Sequence, residues 1–305
     1  MKIYEYSENV SVDFSASVIA LGLFDGVHKG HRALLASAKK EAEKRGLPLA
    51  VFTFYSENKL PKGTTRLYST NIKNELLEKT GAEYVIYADF ETISDVSAES
   101  FVRDIIIKKL KARLAVTGLD FKFGKGRAGD ARLLSKIMKD VGGECLLVPD
   151  ETLSGKKIST SSIKELLGSG EPKLAAQFLG EPYFIEGEIV HGDGRGETLG
   201  LPTVNISLQK DKHFLKQGVY FTQIVIDGKS YTGLTNLGKC PTFEERDFHA
   251  ETFILGFSKN VYGKRARIFL LDYLREEKRF NSREELTEQI KKDIKTVESR
   301  YQNGG

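Results

Sequence analysis

In the stretch GLFDGVHKGH, Gly22 to His31, two of the chain's five histidines stand three residues apart, after an apolar run and before a helical pattern. Imidazoles in such a place can pack in a core, share a metal ion or donate hydrogen bonds to an anion. A metal would want further histidine, cysteine or carboxylate ligands at suitable spacing, and the neighbouring sequence offers no obvious set. Gly22, Gly26 and Gly30 permit tight turns and close backbone approach, and a helix N-terminus carries partial positive charge, so His28 and His31 are placed to hold phosphate. A second concentration lies in HGDGRGETLGLPTVNI, His191 to Ile206. Gly192, Gly194, Gly196 and Gly200 can wrap backbone amides around phosphates, and Thr203 and Asn205, alternate residues of an extended strand, present oxygens suited to magnesium on one side. A loop with glycines for curvature at a barrel edge is the plainer reading of the same residues.

These residues need elements to position them. As far as Pro149, β-rich runs alternate with helical patterns: SVIALGLF, LAVFTFY, EYVIYADF, RLAVTGLDF and ECLLVPD read as strands. Between them HRALLASAKKEAEKRG, IKNELLEKTG, SAESFVRDIIIKKLKA and ARLLSKIMKDVGG read as helices, the first two closed by Gly46 and Gly81. Such alternation predicts a parallel sheet with helices on both faces, whose ligands bind beyond the carboxyl ends of the strands. The character changes after Asp150 to a polar stretch and two short helices broken at Gly168–Pro172. From Tyr183 the chain is β-rich, with a hairpin signal at Asp227-Gly228, which predicts a small antiparallel barrel. Ser282 and Glu285 are spaced as the capping box of a C-terminal helix. The expected division is 1–157, a linker of helices over 158–182, and 183–305.

A chain of 305 residues suffices for two cores. The net charge of +4 is spread without a basic block, which favours anionic small molecules over nucleic acid. Cys145 and Cys240 are isolated from one another, so neither a disulfide framework nor a zinc cluster is expected, and a reducing cytoplasm is the natural setting. The start MKIYEYSENV has no apolar signal core, and no run is long enough to span a membrane. Composition leaves a homo-oligomer open.

GLFDGVHKGH resembles the H-x-G-H signature of the nucleotidyltransferase superfamily, in the longer form of the FMN adenylyltransferase module of bacterial bifunctional riboflavin kinase/FAD synthetases. VTGLDFKFGKGRAGD (Val116 to Asp130) and ISTSSIK (Ile158 to Lys164) are similar to that module's second and third motifs. GRGETLGLPTVNI, NLGKCPTF and AETFIL follow in the order of the riboflavin kinase domain, and NVYGKRARIFLLDYLREEKRF completes the match. The resemblance implies a Rossmann-like nucleotidyltransferase domain followed by a riboflavin-kinase barrel with a terminal helix. It implies ATP-dependent phosphorylation of riboflavin to FMN in the barrel and adenylylation of FMN to FAD, with release of pyrophosphate, in the first domain.

By that likeness His28 and His31 serve the α-phosphate of ATP within a cradle of Gly22, Phe24, Asp25, Gly26 and Gly30, and Ser159, Ser161 and Lys164 lie near the leaving phosphates. Asp120, Phe123 and Asn58 fall near the flavin. In the kinase, Gly192, Gly194, Arg195 and Gly200 attend ATP, Thr203 and Asn205 hold Mg2+, Glu251 is the general base, and Arg275 and Phe280 cover the flavin. The chain departs from the family at TFYSENK, where Pro-His-Pro is usual, and at Ser162 and Lys164, where two arginines are usual. Glu197, Leu201 and Val204 stand where arginine, phenylalanine and alanine are common. Two other readings are that only one module is active, and that the chain is a non-catalytic flavin- or RNA-binding regulator.

Overall fold

The computed structural model describes residues 1–7, 9–55, 65–190, 203–208, 212, 214–239, 248–257, 259–278, 280 and 282–302. Backbone contacts divide the chain into two units, Met1–Ser162 and Ile163–Gly305, the division falling inside helix α6 (Thr160–Ser169).

In the first unit, β1 (Lys2–Glu5), β2 (Ser17–Leu21), β3 (Leu49–Phe54), β4 (Tyr84–Ala88), β5 (Ala112–Gly118) and β8 (Glu144–Val148) form a parallel sheet in the order β1-β4-β3-β2-β5-β8. β2 is buried along its whole length and β3 over all but its last residue, as near-continuous apolar runs demand when both faces are covered. Two short hairpins, β6 (Lys122–Phe123) with β7 (Gly129–Asp130) and β9 (Thr152–Leu153) with β10 (Lys156–Lys157), follow β5 and β8. The chain runs from β2 outward through β3 to β4, then crosses to β5 on the other side of β2, so the order reverses between β2 and β5. That reversal opens a crevice at the carboxyl ends of these two strands, where open α/β sheets bind ligands.

Helix α1 (Lys29–Arg45) buries Leu34, Leu35, Ala38 and Ala42, and Gly46 closes it at φ 63° as its position predicts. α2 (Thr70–Glu78), the short α3 (Phe90–Ile93) and α4 (Ala98–Ser100), and α5 (Ala131–Asp140) cover the sheet's connections. One expected helix differs: beyond α4, residues Phe101–Lys109 wind as a π-helix, with Leu110 N–H reaching Ile105 O at 2.9 Å. Its buried side chains, Phe101, Val102, Ile105 and Ile106, recur every four residues, and the wider turn keeps them and Leu110 on the core side. β1 was not legible as a strand, because its four residues are mostly exposed and lack apolar alternation.

In the second unit α6 and α7 (Pro172–Leu179) precede a closed antiparallel barrel of β11 (Phe184–Val190), β12 (Thr203–Leu208), β13 (Gly218–Ile226), β14 (Lys229–Lys239), β15 (Phe248–Ile254) and β16 (Arg265–Arg275). Asp227 and Gly228 take φ 49° and 73°, the paired left-handed conformation of a type I′ turn between β13 and β14. Alternation sorts the wall: Val204, Ile206, Leu208, Phe248, Ala250 and Ile254 are buried, while Thr203, Asn205 and Glu251 face outward. Inside, the fully buried Thr222, Thr235 and Thr252 satisfy one another through hydroxyl contacts of 2.8 Å.

Ser282 Oγ accepts from Glu285 N–H at 3.2 Å, so the helix Arg283–Gln302 starts at the expected cap. The barrel holds this helix through an ion pair: Arg275 Nε and Nη2 donate to the Asp293 carboxylate at 3.1 and 2.9 Å, and Gln289 adds a bond of 2.8 Å to the same group. Asp293 is only 5% exposed. Removing one partner of such a pair leaves a buried charge uncompensated, so Asp293→Ala is expected to destabilise the second unit by about 3 kcal/mol. The double change Arg275→Met with Asp293→Leu should recover most of that loss, measured by hydrogen exchange of the β16 amides.

Candidate functional site

The first site is built on the turn that leaves β2. Phe24, Gly26 and Val27 all have positive φ, 50°, 82° and 41°, and Phe24 and Val27 are fully buried. Side chains rarely adopt that conformation, so the surroundings must hold it. The Asp25 carboxylate accepts from Leu67 N–H at 3.0 and 3.2 Å, its carbonyl accepts from Thr160 Oγ1 at 3.1 Å, and Arg32 Nε donates to Val27 O at 2.9 Å. Gly22 sits close to the turn: a Cβ there would lie 3.1 Å from the Phe24 ring, which would have to give by a few tenths of an ångström. Gly30 is nearly as tight, its Cβ position 3.3 Å from the His28 ring and 3.4 Å from Ile158 O.

His28 caps α1, its Nδ1 accepting from His31 N–H at 3.3 Å. An accepting Nδ1 leaves the proton of the neutral ring on Nε2, the atom free to donate to a ligand. The rings of His28 and His31 stack, centroids 3.6 Å apart and planes 16° from parallel, and Phe24 meets His31 edge-on at 5.2 Å. Ring nitrogens in stacked parallel planes cannot both direct lone pairs at one ion, so the pair is poorly arranged to chelate a metal. Burial pushes His28 down to about 4; Asp25 opposes this, while Lys157 and Arg32 add to it. Burial also holds His31 well below its usual value, with the charges of His28 and Lys73 acting the same way. Its Nδ1 is buried without a hydrogen-bond partner among the described residues. Both rings are therefore neutral hydrogen-bond donors near pH 7.

The third motif meets this turn through Thr160 and Ile158. Ser159 and Ser162 cap α6 reciprocally, Ser162 N–H donating to Ser159 Oγ at 3.2 Å and Ser159 N–H to Ser162 Oγ at 3.0 Å. Ser161 is exposed in the first turn of α6, and Lys164, half-buried, follows it across the division of units. Asp120, just past β5 across the crevice, is exposed and binds Lys157 Nζ at 2.7 Å, which also reaches Asp150 at 2.8 Å. Phe123 is placed differently from a ligand-facing residue: it is buried against Phe101 and Phe121, with centroids at 5.3 and 5.5 Å. Leu23 and Leu119, which sequence reasoning did not single out, stand 63% and 55% exposed beyond β2 and β5 and give the crevice an apolar rim. Asn58 lies outside the described residues.

The second site is on the outer wall of the barrel. Asn205 pairs in register with Glu251, and Glu251 with Asn236 on the next strand. Thr203 Oγ1 donates to Glu251 Oε1 at 2.8 Å. Three oxygen-bearing side chains from β12 and β15 thus share one patch. Asn236, absent from the sequence reading, donates through Nδ2 to Glu277 at 3.0 Å. Arg275 spends its fork on Asp293 and has Phe280 at 5.8 Å, so these two pair with each other at the far side of β13. Gly192, Gly194, Arg195, Gly200, Glu197 and Leu201 lie outside the described residues.

A histidine turn at the switch point of a parallel sheet, and a carboxylate with two oxygen donors on a small closed barrel, define a two-module protein for phosphate-group chemistry. The comparisons narrow the class. A family model described as FAD synthetase matches residues 11–162, and one described as riboflavin kinase matches residues 179–301. Proteins named bifunctional riboflavin kinase/FMN adenylyltransferase from Bacillus subtilis and Escherichia coli K12 are 37% and 34% identical, covering 91% and 92% of this chain and 90% and 91% of their own. A crystal structure described as a macrolide-efflux protein from Streptococcus pneumoniae is 30% identical with a TM-score of 0.87, over 97% of this chain and 98% of that one. Among the described residues no helix is long and apolar enough to cross a membrane. The chain belongs to the bifunctional riboflavin kinase/FMN adenylyltransferase family.

The burial of His28 has a measurable consequence. Its folded value near 4 lies below the unfolded value near 6.5, so the unfolded chain binds more protons between these pH values. Stability of the first unit is therefore expected to fall as pH drops from about 6.5 to 4, by up to about 3 kcal/mol from this residue. His28→Asn, which keeps an N-cap acceptor, should flatten that slope in hydrogen exchange of the β2 and α1 amides.

Proposed function

We propose that this chain makes FAD from riboflavin in two ATP-dependent transfers, phosphorylation to FMN in residues 183–305 and adenylylation of FMN in residues 1–157, with 158–182 as the linker. The observation that supports it is the division into two units that the FAD synthetase and riboflavin kinase family models match in the same order, each unit carrying one of the side-chain clusters described above.

In the adenylyl transfer, a phosphate oxygen of FMN attacks the α-phosphorus of ATP, the bond to the β-phosphate oxygen breaks, and pyrophosphate leaves with the electron pair. The nucleophile is already an anion, so the site needs alignment and charge stabilisation more than a base. His28 Nε2 and His31 donate to the α-phosphate, where the backbone of Gly22 to Gly30 lets it approach, while Ser159 and Ser161 attend the departing phosphates. The exposed side chains of Leu23 and Leu119 offer a surface for a flat ring at the crevice, beside Asp120.

In the kinase, the neutral 5′-hydroxyl of the ribityl chain gains from a base, and Glu251 takes its proton as the oxygen attacks the γ-phosphorus of ATP and ADP leaves. Thr203 and Asn205 are hard oxygen donors beside Glu251, a set that fits Mg2+ held by few protein ligands together with nucleotide phosphates. Magnesium supplies charge neutralisation on those phosphates when bound.

The purified chain with riboflavin, ATP and Mg2+ is expected to form FMN and then FAD, separated by chromatography. His28→Asn should lower FAD formation from FMN by about 100-fold or more while leaving FMN formation within about twofold. Glu251→Gln should lower FMN formation by about 100-fold and spare FAD formation from FMN. Equal loss of both activities in either folded variant would defeat the assignment of two independent sites.

A further inference from the structure

α2 carries a lysine where its pattern calls for an apolar residue. Lys73 shares the inner face with Leu76 and Leu77 and is only 3% exposed. Its ammonium donates to Leu23 O at 2.6 Å, Thr53 Oγ1 at 2.7 Å and Phe54 O at 2.9 Å, which accounts for its three protons. It also lies 5.4 Å from the centre of the Tyr87 ring. Thr53 Oγ1 in turn donates to Leu23 O at 2.8 Å, so this one carbonyl receives two strong bonds.

Leu23 immediately precedes Phe24, the first residue of the histidine turn to enter positive φ. The segment leading into α2 grips the turn on its other side, through Leu67 N–H and the Asp25 carboxylate. The left-handed residue is thus held on both sides by one short stretch of chain, residues 67–73. Burying an ammonium costs several kcal/mol unless hydrogen bonds compensate, and leucine or methionine would fill the same space with none of that penalty. A charge kept there acts on geometry. Freed of its two donors, Leu23 O could rotate, Phe24 could relax towards negative φ, and the rings five and eight residues past Leu23 would shift with it.

We propose that Lys73 is a positioning residue for adenylyl transfer, fixing the Leu23 carbonyl so that the turn presents His28 and His31 to the nucleotide phosphates. The proposal rests on the reading of the first unit as the adenylyltransferase. Misplacement by an ångström can cost about 100-fold in rate with little effect on ground-state binding.

The test uses the full chain with Lys73→Met and Thr53→Val, assayed for FAD formation from FMN and ATP. Lys73→Met is expected to lower kcat by about 30- to 100-fold with both KM values within about threefold, and Thr53→Val to lower kcat by about 3- to 10-fold. A kcat within about threefold of the parent in folded Lys73→Met, or raised KM with unchanged kcat, overturns the proposal. Should hydrogen exchange show that Lys73→Met does not fold, Thr53→Val decides, and an unchanged kcat there overturns it. A parent chain that forms no FAD would defeat the adenylyltransferase reading instead. The clamp is then still tested by the imidazole NMR signals of His28 and His31, whose failure to shift in both variants would overturn it.

Discussion

The first unit depends on one local constraint: the chain leaving β2 must pass through left-handed backbone at Phe24, Gly26 and Val27 before α1 can begin. Gly26 adopts this conformation freely, but Phe24 and Val27 each carry strain of about 1–3 kcal/mol, which persists only where surrounding bonds over-determine it. Here the restraints come from four directions: α2 through Lys73, the stretch before it through Leu67, α6 through Thr160, and α1 itself through Arg32. The result is a stacked pair of neutral imidazoles, His28 buried and His31 half-buried, with the Nε2 proton of His28 left to donate.

The two units present different materials at their candidate sites. In the proposed adenylyl transfer the α/β unit uses neutral nitrogen donors, because the incoming group is itself an anion and needs only to be brought up against another. In the proposed kinase reaction the barrel uses outward-facing oxygens on neighbouring strands, and a carboxylate among them, because a hydroxyl must lose its proton. The barrel interior stands apart from this patch: its threonines bond to one another, while Thr203 bonds to Glu251 on the wall. Strand pairing holds the Asn205 backbone between Val190 and Glu251, and the Glu251 backbone between Asn205 and Asn236.

Much of this was legible in the residues. Periodicity marked most elements, Asp227-Gly228 its hairpin and Ser282 its cap, because each depends on neighbours in sequence. The histidine turn was legible for the same reason. Contacts from distant segments were hidden: nothing local says that Leu67 would bind Asp25, or that Arg275 would be taken by Asp293 on the final helix. Phe123 reads as a ring beside a ligand but packs against Phe101 and Phe121, since its environment is set by a helix that precedes it in the chain. Lys73 left a trace, a cation on an apolar stripe, which registers only when a charged residue in the wrong place is treated as information. The π-helix at Phe101–Lys109 followed from spacing that a 3.6-residue template does not resolve.

Closure of the barrel has a consequence for synthesis on the ribosome. Its first strand, β11, bonds to its last, β16, about eighty residues later, so the ring stays open until the stretch from Arg265 to Phe269 has emerged. Each parallel strand of the preceding unit instead finds its partners within the first half of the chain, and that unit can complete its core while the barrel is still being translated. A nascent polypeptide of this kind completes its parallel sheet first and its closed ring last.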